Sequence, residues 1–116
     1  MNLPLSLVAD YMVVTLACQA KSARVKQLIL EKVAGLLIEE RQEDALAIFK
    51  STKDKIVAFV QKDTNANVRD AAVGLLAVFK MILGEDPSVA EAINSLPKYR
   101  IAEINKVAGE NKRAQG

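Results

Sequence analysis

This 116-residue sequence predicts an all-α fold, a right-handed stack of antiparallel helical hairpins. Three observations predict it. Apolar residues recur every three or four positions through nearly the whole chain, the mark of helices that bury one face. Ala, Leu, Val, Ile, Lys and Glu dominate while Gly, Pro and aromatic residues are few, a balance that suits helix and a packed core. Period-two alternation, the signal of half-buried strands, is missing. One helical domain is expected over residues 1–109, followed by a frayed polar tail at 110–116.

The first expected helix covers residues 3–17, with Pro4 in its first turn and stripes Leu5, Val8, Met12, Leu16 and Leu7, Tyr11, Val14, Cys18. It is too short to span a membrane and lacks the basic start of a signal peptide, so it reads as a core helix. A tight turn at 19–22 leads to a second helix over about 23–40, whose buried face is Val25, Leu28, Ile29, Val33, Leu36 and Leu37. Gly35 inside it suggests close approach of a neighbouring helix. Asp44 can cap a short helix to Phe49. Ser51 or Thr52 then offers a new cap, with Asp54 in a capping-box position, for a helix to about Lys62. The two pieces equally suit one kinked helix.

A polar turn at 63–67 then enters the strongest helix in the chain. Asn65 or Asn67 can cap it, and Val68, Ala71, Ala72, Leu75, Leu76, Phe79 and Ile82 form its core stripe. Gly84 is a natural C-cap. Asp86-Pro87 restarts a helix by a cap and a first-position proline, with Val89, Ala92, Ile93 and Leu96 inward. After Pro97, a last helix over about 98–108 carries Tyr99, Ile101, Ile104 and Val107 as apolar positions, and Gly109 is expected to end it.

Two of these turns match each other. Displacing Ser22-Ala23-Arg24-Val25-Lys26 by about 43 residues sets Val25 on Val68, Lys26 on Arg69 and Ser22 on Asn65, with Val33 on Leu76 further along. That period, at two helices per unit, is the signature of HEAT or armadillo repeats, here about three of them. In such a stack equivalent turns line up along one edge. Lys21, Ser22, Arg24 and Lys26 then lie beside Lys62, Asn65, Asn67 and Arg69, forming a basic ridge that also carries asparagine.

Little here supports catalysis. There is no histidine, which removes the commonest general base and metal ligand. Cys18 is the one cysteine, sits on an apolar stripe, and reads as a small buried side chain in a reducing compartment. The acidic pairs Glu39-Glu40, Glu43-Asp44 and Glu85-Asp86 fall at helix ends, where solvation or capping accounts for them. No phosphate loop, paired cysteines or calcium loop occurs. The expectation is a binding protein, not an enzyme, with no metal and no cofactor. Net charge is only +2 and the pI about 8.7, which argues against nucleic acid as the partner.

The turn 63–72, Asp63-Thr64-Asn65-Ala66-Asn67-Val68-Arg69-Asp70-Ala71-Ala72, together with Phe79-Lys80-Met81-Ile82-Leu83-Gly84-Glu85, resembles the last HEAT repeat of a TOG domain of the microtubule polymerase family. Ala92-Ile93-Asn94-Ser95-Leu96-Pro97-Lys98-Tyr99-Arg100-Ile101-Ala102-Glu103-Ile104 is similar to that domain's closing segment. Ala20-Lys21-Ser22-Ala23-Arg24-Val25-Lys26-Gln27 is similar to the penultimate turn. The resemblance implies a flat helical paddle that binds αβ-tubulin through its intra-repeat turns, with Lys26 at the basic contact position and Asn65, Asn67 and Arg69 in the last turn. It implies a cytoplasmic protein of microtubules, the spindle or a microtubule-organising centre.

The family's first-repeat turn usually supplies a tryptophan, and this sequence has none. A whole domain of that family has about six repeats and this chain about half that, so the resemblance implies the C-terminal half of such a domain, and self-association through residues 3–17 is a further expectation. The alternative is a HEAT or armadillo scaffold for another protein partner.

Overall fold

The computed structural model describes residues 19–38, 42–84 and 86–115, and among them every regular element is a helix. They are α1 (Ala23–Leu37), α2 (Gln42–Lys62), α3 (Ala66–Leu83), α4 (Pro87–Asn94) and α5 (Lys98–Gln115). The expected helix over 3–17, Cys18, and the acidic pair Glu39-Glu40 lie outside the described residues.

The all-α fold follows the sequence pattern most closely in α3. Val68, Ala72, Val73, Leu75, Leu76, Ala77, Val78 and Phe79 are all buried, so this helix is covered on almost every side. Its neighbours are α1, α2 and α5, and the short α4 closes one end. Burial of so much apolar surface around one helix, at roughly 25 cal/mol per Å², makes α3 the centre of the hydrophobic core. Phe49 of α2 meets Phe79 of α3 edge to face, with ring centroids 5.0 Å apart.

Helix direction alternates in a way that matters for function. Lys26, at the start of α1, reaches Asp63, just before the start of α3. Arg69 in the first turn of α3 and Arg100 in the first turn of α5 line the same cavity, together with Val60 and Gln61 at the end of α2. Thus α1, α3 and α5 run the same way and α2 runs against them. Near the far end, the Lys80 ammonium donates to Asn105 Oδ1, tying α3 to α5. This stack is compatible with a solenoid-like arrangement. It gathers the starts of three helices on one edge.

Several local expectations need correction. Ser51 and Thr52 do not cap a new helix. Their hydroxyls donate back to the Ile48 carbonyl at 3.0 and 2.7 Å, and α2 runs through them without a break. Val25 and Leu28 are 44% and 48% exposed, because the core face of α1 is Leu30, Val33 and Leu37 on the opposite side. The match of Val25 to Val68 therefore holds in sequence but not in burial. Among the described residues, α3 is covered by three neighbours and α1 by one main one.

Tyr99, one of the apolar positions expected in the last helix, is 61% exposed. Gly35 is not a close-approach site, since a methyl group there would meet nothing within 4 Å. Helix α5 passes through Gly109 to Gln115, where the expectation was a stop at Gly109. Glycine permits a helix end but does not force one. The left-handed φ of +60° that marks a glycine cap is found at Gly84, whose N–H donates to the Lys80 carbonyl.

Candidate protein-binding edge

The turn between α2 and α3 is built from short polar side chains that fold back on their own backbone. Asp63 Oδ1 accepts the Asn65 N–H at 2.9 Å. Asn65 Oδ1 in turn accepts the N–H groups of Asn67 and Val68 at 2.9 and 3.3 Å, two of the unpaired donors at the start of α3. Of the two asparagines that the sequence offered as caps, Asn65 is the one used. Asn67 is exposed.

Two cations close around this turn. Lys26 Nζ lies 3.5 Å from Asp63 Oδ2, with the aspartate side chain only 10% exposed. Arg69 Nη1 donates to the Asp63 carbonyl oxygen at 2.8 Å. One residue therefore holds a cation from α1 through its side chain and a cation from α3 through its backbone. Lys26 and Arg69 are side by side and half-buried, each partly engaged in keeping the turn in shape.

The other residues of the expected ridge differ from these two. Lys21, Ser22 and Arg24 are exposed at the entry to α1. Ser22 is the N-cap of α1 by backbone conformation, but its side chain makes no capping bond. Among the described residues, Lys21 and Arg24 have no ion pair. Lys62, in the last turn of α2, is exposed where a cation favours the helix dipole. The ridge thus has an inner pair, Lys26 and Arg69, and an outer set, Lys21, Arg24 and Lys62, that is free to meet a partner's charges.

Two hollows flank it. One, of about 380 Å³, is lined by Val60, Gln61, Arg69, Pro97, Tyr99 and Arg100. The other, of about 500 Å³, is a groove between α1, α3 and α5 lined by Ala34, Gly35, Ala71 and Gly74 together with Glu31 and Asp70. The edge is therefore cationic on the first side and bounded by carboxylates on the second.

Arg100 is held in place within the first hollow. Its Nη1 donates to Glu103 Oε2 at 2.8 Å, and its guanidinium carbon lies 5.1 Å from the Tyr99 ring centre. Burial pulls its pKa down, but the hydrogen bond and charge of Glu103, with Tyr99 alongside, outweigh that and raise it.

Sequence reasoning gave no site role to Asp63 or to the pair Tyr99 and Arg100. Asp63 carried a readable signal, a short acid two residues before an N-cap asparagine, the spacing of an Asx turn. Tyr99 and Arg100 carried none, because their approach to Arg69 depends on how α5 packs on α3. Among the described residues, no group of Cys, Asp and Glu is arranged to hold a metal ion, and no helix is long and apolar enough to cross a membrane. Comparison with family models, with curated proteins and with solved structures finds no match for this chain.

Proposed function

We propose that this chain is a tubulin-binding module, the C-terminal half of a TOG-like domain, that contributes to microtubule growth or organisation in the cytoplasm. The observation that carries the proposal is the meeting of Lys26 and Arg69 at Asp63. It joins the turn before α1 and the turn before α3 into one edge with cations on both. Such an edge suits an acidic partner surface, because complementary charge speeds encounter and fixes register more than it adds affinity. Lys21, Ser22, Arg24 and Asn67 supply the exposed contacts, while Lys26, Asn65 and Arg69 also maintain the shape of the edge.

This division of labour selects the test. Reversing Lys26 would set a carboxylate against Asp63 and damage the turn, so lost binding would have two explanations. Lys21→Glu with Arg24→Glu changes exposed positions only. In gel filtration with αβ-tubulin at low salt, the parent should co-elute and the double variant should bind at least about tenfold more weakly. Its melting temperature should stay within about 2 °C of the parent. Equal co-elution of both proteins, or none by the parent, removes the proposal.

A second reading is a HEAT- or armadillo-type scaffold for a different protein. It is favoured by the groove whose lining includes the small residues Ala34, Gly35, Ala71 and Gly74, which suit the close approach of a partner helix. A pull-down that recovers another protein and no tubulin would select it.

A further inference from the structure

We propose that the hollow between the end of α2 and the starts of α3 and α5 is a carboxylate-binding pocket, which takes a glutamate side chain from an acidic segment of a protein partner. Its charged lining residues are Arg69 and Arg100, and the one carboxylate paired with them, Glu103 on Arg100, is not among the lining residues. The other hollows that contain a charged group differ in kind. One is lined by Lys53 together with Asp54 and Glu91, the groove carries Glu31 and Asp70, and another has Lys80 beside two asparagines.

Both guanidinium groups are fixed by one named bond each, Arg69 to the Asp63 carbonyl and Arg100 to Glu103, and in both cases the donor is Nη1. A guanidinium carries five N–H donors in a planar fork, so donors remain on each for a bidentate anion. The first turn of α5 adds the positive end of its dipole to the same place. Fixing the two forks in advance lowers the ordering cost of binding.

The walls decide which anion. Pro97 and the Tyr99 ring are exposed apolar surfaces beside the two arginines. Such walls suit the methylene stem of glutamate, with its carboxylate between the forks. A polyphosphate or nucleic acid would call for a longer basic stripe and a more basic chain than one of net charge +2.

The pocket stands on these residues alone and does not depend on the identity of the partner proposed above. The test uses the full chain and a fluorescent oligo-glutamate peptide in an anisotropy titration at low salt, with oligo-glutamine and oligothymidylate of equal length as comparators. Oligo-glutamate should bind at least about tenfold tighter than either. Arg100→Gln should weaken it about tenfold, the loss of one charge-assisted contact, and Arg100→Lys should restore only part. Tyr99→Ala, at an exposed position, should also weaken it while leaving the melting temperature unchanged.

Equal binding of oligo-glutamine, tighter binding of oligothymidylate, or full affinity in both Arg100→Gln and Tyr99→Ala overturns the pocket. A chain that passes this test and fails to co-elute with tubulin loses the tubulin proposal and keeps the pocket. The opposite pair of results loses the pocket alone.

Discussion

Phe79→Ala is expected to cost about 3–5 kcal/mol of folding stability, the range for deleting a large aromatic from a packed core. Phe79 is fully buried on α3, the helix that α1, α2 and α5 all pack against. Its loss leaves a cavity that three helices would have to move together to close. It also removes the edge-to-face contact with Phe49, worth about 0.5–1.5 kcal/mol beyond burial. Against a total stability of about 5–15 kcal/mol for a domain, this is a large share. Urea denaturation followed by far-ultraviolet circular dichroism measures it as a fall in midpoint at unchanged slope. A loss under about 1 kcal/mol would mean that α3 is not the centre of the core.

Asp63→Ala is expected to cost about 1–3 kcal/mol, a larger loss than an exposed ion pair accounts for. The substitution removes the acceptor of the Asn65 N–H and the partner of Lys26 at one stroke. Lys26 is left partly buried without its counter-charge, and the loop that presents Asn65 as the cap of α3 loses its brace. Asp63→Asn separates the two contributions, because the amide oxygen can still accept from Asn65 while the charge is gone. The asparagine variant should fall between the parent and the alanine variant in urea midpoint. Identical midpoints for all three would show that the bonds at Asp63 hold nothing together.

The sequence was most informative where a single helix decides its own surroundings. In α3 the cap Asn65, the three- and four-residue spacing from Val68 to Phe79, and the terminal Gly84 are local signals that agree with one another, and the helix begins and ends where they say. The restart at Asp86-Pro87 was legible for the same reason. Ser51 and Thr52 left two helices or one kinked helix equally open, because a hydroxyl serves equally as a cap or as a back-bonding group, and the bonds to Ile48 within one helix decide it.

Val25 and Leu28 misled because α1 has apolar residues on two faces, and periodicity does not say which face meets the core. The candidate edge was legible as a set of turn residues related by a shift in sequence. Its internal order was not. That Lys26 and Arg69 share Asp63, and that Arg69 and Arg100 share a pocket, are consequences of packing between helices distant in sequence.

The central proposal is that one continuous edge, made by the starts of α1, α3 and α5, meets tubulin. The most direct measurement is a nitrogen-15 NMR titration of the chain with αβ-tubulin at low salt. Amide signals of Lys21, Arg24, Asn67 and Arg69 should broaden together and first, while those at the opposite edge, Leu83, Gly84 and Asp86, keep their intensity. Broadening that begins at Leu83, Gly84 and Asp86, or that spares either of the two turns, would contradict it.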